Sequence, residues 1–318
     1  MSKKYSLGIG LNLFDARAVL LNDEGKVLAK VIKNRSTVNA NETLATLLEL
    51  FEGILAKSKR YKSSIEGVGL ALGGIVNSKK GIVYWPQPPD SYVAVPLGDY
   101  LRKKFGLSVY IENDANACAW AEYQANFSKY KNIVYLFSGV GCGVIANGNI
   151  YKGRDGAAGE LFLNPKAVMS SYLGDFSFLK AWPADLDIVK RAKTAISLGQ
   201  ETSLVKKISS SGELFLESIF EEANKKDKLA RDLIKEAART LGVKAAFLIN
   251  LLNPEAVVIG GGLESAGEFF LEECINSVKK FSFNEMRKGC KITLSCLGND
   301  ATSLGAAMLV FKENTLQR

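Results

Sequence analysis

Apolar and polar positions alternate along this chain with two distinct periods. Residues 5–13 and 16–21 are apolar runs, and 27–32 alternates after the turn-forming stretch 22–25, which predicts three strands with a tight turn before the third. Residues 41–57 instead carry Leu44, Leu47, Leu48, Phe51, Ile54 and Leu55 at the spacing of one helical face, with Asn41 as the expected N-cap. Residues 65–72 are continuously apolar and end in Gly73-Gly74, as a strand buried on both faces should. A short helix over 96–105 and a buried strand over 108–111 follow.

The second part of the chain repeats this opening. A strand over 132–137 leads through a glycine-rich turn into a strand over 143–146, which turns at Asn147-Gly148. Two strands joined by a tight turn near the start of each half are what a duplicated fold requires. Residues 227–252 form the strongest helix, with Leu229, Leu233, Ala237, Leu241, Ala245 and Leu248 on one stripe and Pro254 beyond the end. A strand over 256–259 runs into Gly260-Gly261-Gly262. Helix 268–279, strand 291–294 and helix 303–311 close the chain. The fold class is α/β, with two domains and mixed sheets.

Composition narrows the field. A length of 318 residues fits two domains, and 47% hydrophobic with 23% charged residues excludes long disorder. The net charge of +8 is spread along the chain, with clusters at 57–62 and 225–228, and reads as a solvated face rather than a nucleic-acid surface. There is no histidine, which removes Ser-His triads, histidine bases and histidine metal ligands. The five cysteines, Cys118, Cys142, Cys274, Cys290 and Cys296, form no C-x-x-C pair and are odd in number, so reduced thiols are expected. The start MSKKYSLGIGLNL lacks a signal peptide, and no apolar stretch reaches the ~20 residues that span a bilayer. A soluble cytoplasmic protein without a membrane partner is the expectation.

Four segments carry candidate chemistry. Residues 111–117, IENDANA, lie where a strand ends and a helix begins, the edge at which α/β folds bind ligands. Asn113 and Asp114 there suit a polyol, with Asp114 as a general base, or else one of them is an ordinary N-cap. Residues 137–143, FSGVGCG, place glycines at alternating positions between strands, either to admit a phosphate or simply to make a hairpin. Gly260-Gly261-Gly262 would admit a flat group such as adenine, or allow the strand-to-helix turn. The fourth is GRDGAAGE, residues 153–160, which ends in the carboxylate of Glu160.

Together with the late stretch GNDATSLGAAM, these segments resemble the ROK group of repressors, open reading frames and kinases, in order, spacing and approximate length over nearly the whole chain. The resemblance implies a duplicated actin-like ATPase fold (ribonuclease H-like, as in hexokinase) with an interdomain cleft. Domains are expected at 1–114, completed by the helix 303–318, and at 115–302. It implies ATP- and Mg2+-dependent phosphoryl transfer to a sugar hydroxyl of a hexose or N-acyl hexosamine, with Asp114 as catalytic base. Asn113, Glu160, Gln87 and Gly74 would bind the sugar, and Ser138, Gly139, Gly261 and Gly262 the nucleotide. It also admits a homodimer.

The departures from that pattern bear on activity. Kinases of the family open with D-x-G-G-T-K, where this chain reads Gly10-Leu11-Asn12-Leu13-Phe14-Asp15. The acid that positions the metal has become glycine, Leu13 and Phe14 are expected to occupy phosphate space, and Asp15 brings a charge that repels ATP. The sugar-side loop V-P-G-P-V-D is here Leu72-Gly73-Gly74-Ile75-Val76-Asn77, which keeps the central glycine. Leu163 replaces the family's zinc-binding histidine and residues 166–187 hold no cysteine, so no zinc is expected. No winged-helix DNA-binding domain of the kind that the family's repressors carry is expected ahead of the first strand. Two readings follow: an ATP-dependent sugar kinase, and a catalytically degenerate sugar-binding or regulatory protein that has lost ATP binding.

Overall fold

The computed structural model describes residues 3–11, 15–34, 40–87, 91–138, 141–161, 184–210 and 212–316. The chain opens with β1 (Tyr5–Leu11), β2 (Asp15–Asn22) and β3 (Val27–Asn34), then α1 (Ala40–Lys57) and β4 (Ile65–Leu72). Next come β5 (Ile75–Asn77), β6 (Ile82–Gln87), β7 (Ser91–Val95), α2 (Leu97–Phe105), β8 (Val109–Asn113) and α3 (Asp114–Glu122). Strands β9 (Ile133–Phe137), β10 (Gly141–Ala146) and β11 (Asn149–Ile150) precede α4 (Ala184–Ser197), α5 (Leu216–Asn224) and α6 (Lys228–Leu252). The chain finishes with β12 (Ala256–Gly260), α7 (Glu268–Phe281), α8 (Asn284–Lys288), β13 (Lys291–Leu294) and α9 (Ala301–Leu316).

Packing groups the chain into two compact units. One comprises Met1–Phe137, Cys142–Glu160 and Cys296–Arg318, and the other Ser138–Gly141 with Leu161–Ser295. The grouping keeps α3 and β9 with the unit that contains residues 1–114.

The first unit is built on the sheet β3-β2-β1-β4-β8, antiparallel across β1–β2 and β2–β3 and parallel across β1–β4 and β4–β8. One face is covered by α1, whose Leu47, Leu50, Phe51 and Ile54 are buried against Leu7, Ile9, Leu20 and Leu70 of the strands. These are the stripe positions that the helical period selects. The helix begins at Ala40, so Asn41 lies inside its first turn rather than capping it. The other face of the sheet receives α9, whose Ala307 packs with Val19 and Leu21. The helix comes so close that a Cβ on Gly8 of β1 would stand 2.0 Å from the Ser303 carbonyl oxygen. The antiparallel sheet β5-β6-β7, not foreseen from the sequence, follows the Gly73-Gly74 bend.

Later strands repeat two of these pairings: antiparallel β10–β11 answers β2–β3, and parallel β12–β13 answers β4–β8. The β10–β11 turn places Asn147 and Gly148 at φ 51° and 76°, the left-handed pair of a tight hairpin. In the second unit α6 starts one residue after Asp227, which caps it by accepting the Ala230 N–H at 2.9 Å, and ends at a left-handed Asn253. No helix among the described residues is long and apolar enough to cross a membrane.

Candidate functional site

The strand-to-helix junction flagged in the sequence joins β8 to α3. Asn113 is the N-cap: its Oδ1 accepts the N–H groups of Ala115 at 2.9 Å and Asn116 at 3.3 Å. Its Nδ2 donates to the Gly74 carbonyl at 3.2 Å, tying the junction to the bend after β4. These bonds use both acceptor positions of Oδ1 and one of the two Nδ2 hydrogens. Asp114 opens α3. Its Oδ1 accepts the Ala115 N–H at 2.8 Å, and its Oδ2 lies beside Gly73, where a Cβ would be 3.2 Å away. Both side chains are half-buried, and the N-terminus of α3 favours the Asp114 charge.

Behind the junction stands a group that sequence reasoning missed. Glu112 is buried; its Oε1 accepts the Asn113 N–H at 3.0 Å and the Asn116 Nδ2 at 3.1 Å. Its Oε2 faces Lys152 Nζ at 3.0 Å, and the same ammonium meets Glu313 of α9 at 2.8 Å. Burial alone would lower the Lys152 pKa, but the two carboxylates outweigh burial and hold it above its usual value. The signal available in the sequence was one carboxylate inside an otherwise apolar strand, which requires a buried partner.

Glu160 arrives from the loop that follows β11. That loop is fastened by backbone bonds from Tyr151 N–H to Val144 (2.8 Å), Ser78 N–H to Asp155 (3.1 Å) and Cys142 N–H to Gly159 (2.7 Å). The Glu160 carboxyl is pushed up to about 7, first by the atoms that crowd water away from it and then by the charge of Asp114. The residue as a whole is exposed, so this carboxyl is crowded yet reachable. Burial and then the charge of Glu160 push the Cys142 thiol up to about 12, which leaves it unreactive at neutral pH. Asn113, Asp114, Gly74 and Glu160 thus belong to one neighbourhood of the first unit. The backbone of Gln87 ends β6 opposite Ser91, and its side chain lies outside the described residues.

The expected nucleotide residues gather in the second unit. Ser138, at φ 47°, donates its N–H to the Gly260 carbonyl at 3.1 Å and its hydroxyl to the Gly261 carbonyl. Gly261 and Gly262 are left-handed at φ 73° and 104°, and the Gly262 N–H is taken by Glu264 Oε2 at 2.9 Å. Gly139 lies outside the described residues.

At the β1–β2 turn, Asn12, Leu13 and Phe14 also lie outside the described residues, but both flanks are described. A Cβ on Gly10 would stand 2.6 Å from the Ser303 backbone nitrogen and 2.7 Å from Thr302 Cβ, both at the start of α9. Asp15 does not present the bare charge expected from the sequence: Arg17 grips it through Nε at 2.8 Å and Nη2 at 2.6 Å, and reaches Asp300 through Nη1 at 2.6 Å. Leu163 and residues 166–183 of the loop expected to lack zinc lie outside the described residues. Among those described, no group of three or more histidine, cysteine, aspartate or glutamate residues is arranged to hold a metal.

Known proteins share this architecture. The chain is 30% identical to a glucokinase of Thermotoga maritima over 98% of each chain. It is 28% identical to a xylose repressor of Caldicellulosiruptor bescii over 96% of its own length and 78% of the repressor's. Its fold matches the crystal structure of a ROK family glucokinase from Streptomyces griseus in complex with glucose and AMPPNP, with TM-score 0.72, 24% identity, and coverage of 97% of this chain and 99% of that one. The fold is therefore the actin-like, hexokinase-like one. Glucokinases and repressors stand together among the relatives, and the sequence profile of the ROK family matches residues 6–313: the chain belongs to the ROK family.

Proposed function

We propose that this protein binds a monosaccharide in the cytoplasm and does not transfer phosphate from ATP at the rate of a kinase. The observation that carries this reading is the packing at Gly10. That position corresponds to the acid that orients the metal in family kinases, and here the backbone of α9 stands where any side chain would begin. The residues present do not fit a Mg-ATP complex of that kind. No carboxylate can extend from position 10 without moving α9, Asp15 is engaged by Arg17, and Glu264 holds the Gly262 N–H. Phosphoryl transfer depends on positioning and charge neutralisation, so the loss of these elements removes most of the catalysis.

Sugar recognition is better supported. Two carboxyl groups that share a site do not both ionise easily. With Glu160 pushed up to about 7 and Asp114 at a helix N-terminus, the pair offers one donor and one acceptor to a vicinal diol in the half of the molecules in which Glu160 holds its proton at neutral pH. Asn113 adds its second Nδ2 hydrogen. None of the five cysteines is in a disulfide, in keeping with a reducing compartment. The relatives named for glucose and xylose supply the probes. Calorimetry should show binding of D-glucose or D-xylose that Asp114→Ala abolishes, with no Mg-ATP binding. Sugar-dependent ATP consumption would overturn the reading in favour of the kinase, and an absence of binding to any monosaccharide of a broad panel would overturn its sugar half.

A further inference from the structure

Resting on the placement of the sugar site at Asp114 and Glu160, we propose that Lys152 is the positioning residue of that acid pair. One side chain reaches both halves of the site. Through Glu112, 3.0 Å away, it supports the β8–α3 junction, because Glu112 accepts the Asn113 N–H and the Asn116 amide on its other oxygen. Lys152 itself begins the loop that ends in Glu160, so its grip on Glu112 and on Glu313 of α9 also anchors that loop. The loop is folded on itself, with the Gly156 N–H bonded to the Lys152 carbonyl at 3.0 Å. A single ammonium therefore ties the element carrying Asp114 to the start of the loop carrying Glu160, alongside the backbone bond from Cys142 to Gly159 that fastens the loop's far end.

Removing it has a definite chemical consequence. Glu112 is buried, and without its cation it is an uncompensated carboxylate that takes up a proton or draws in water. In either form it accepts the Asn113 N–H and the Asn116 amide more weakly, as a neutral carbonyl oxygen or one shared with water. The pair then slackens, and Glu160 loses the two influences that raise it: the atoms that crowd it and Asp114. The Asp114 charge raises Glu160, and the Glu160 charge in turn raises the Cys142 thiol.

The test exploits a difference in sign. Loss of a nearby positive charge by itself raises a carboxyl pKa, whereas loss of the crowding and of the Asp114 contact lowers it. Carbon-13 NMR of the glutamate carboxyls, with Glu160 assigned through Glu160→Gln, follows the titration with no sugar present. Wild type should show a midpoint near 7. Lys152→Met should bring it down by at least about one unit toward the ordinary carboxylate value of ~4.3, and Lys152→Arg should stay within about half a unit of wild type. A folded Lys152→Met protein with the midpoint unchanged or raised overturns the proposal, as does a wild-type midpoint near 4. Should Lys152→Met fail to fold, Glu313→Gln, which loosens only the second anchor, should lower the midpoint by a smaller amount, and no change there overturns the proposal. Failure of the sugar reading would show separately, as wild-type protein that binds no sugar while Glu160 still titrates near 7.

Discussion

Restoring the family's acid by Gly10→Asp should damage the protein rather than revive a kinase. A Cβ at position 10 meets backbone nitrogen at 2.6 Å and side-chain carbon at 2.7 Å, both well inside the closest distances that real Cβ atoms adopt. The helix that crowds it has little room to retreat. On its far side a Cβ on Gly305 of α9 would lie 1.9 Å from the Ala117 carbonyl oxygen of α3. Overpacking of this kind costs about 1–3 kcal/mol, so Gly10→Ala should sit near ~2–3 kcal/mol. The aspartate adds a carboxylate opposite Arg17, whose guanidinium Asp15 and Asp300 already share, which brings the total to roughly 4–5 kcal/mol. For a domain of about 150–250 residues, each kcal/mol shifts the melting temperature by ~2–4 °C. Gly10→Ala should therefore melt about 5–10 °C below wild type, and Gly10→Asp lower still. Thermal melting by circular dichroism, with Mg-ATP calorimetry on both variants, measures this. A Gly10→Asp protein that melts with wild type, or that gains Mg-ATP affinity, would show that α9 yields easily and that its packing does not decide the fate of the nucleotide.

Gly53 gives the opposite case, since a Cβ there meets nothing nearer than Val31 Cγ1 at 3.5 Å and its helical backbone is ordinary. Gly53→Ala should stabilise the first unit by about 0.5–1 kcal/mol in urea titration, and a loss of stability contradicts the packing described. The Glu160 carboxyl, near 7 when folded against an ordinary 4.5, holds its proton more tightly in the folded chain than in the unfolded one. Its contribution is therefore intact below about pH 4.5, falls as the pH rises to about 7, and is level above that. Glu160→Gln should flatten that decline in urea midpoints collected from pH 4 to 8, and an identical decline in the variant would remove Glu160 as its source.

What could be read from the chain, and what could not, follows from the range of the interactions concerned. The helical stripe at Leu229 to Leu248 is local, and the structure ends α6 at the residue the pattern indicates, although Asp227, read as its first residue, is its cap. The β8–α3 junction was legible for the same reason, although its two readings turn out to be compatible: Asn113 is the cap, and Asp114 beside it is left facing Gly73. The Glu112–Lys152–Glu313 cluster was not legible, because its members lie 40 and 161 residues apart and nothing local to Lys152 distinguishes it from a surface lysine. Gly10 shows why the two kinds of information must be combined. In the sequence it is a missing acid, a loss that a single substitution could reverse. In the structure it is a required glycine, because β1 and α9 have closed on the space that the acid would need. A position that had lost only its acid would keep room for its return, whereas here a Cβ would meet the start of α9 at 2.6 Å. That close approach, more than the altered motif, is what the proposed loss of phosphoryl transfer rests on.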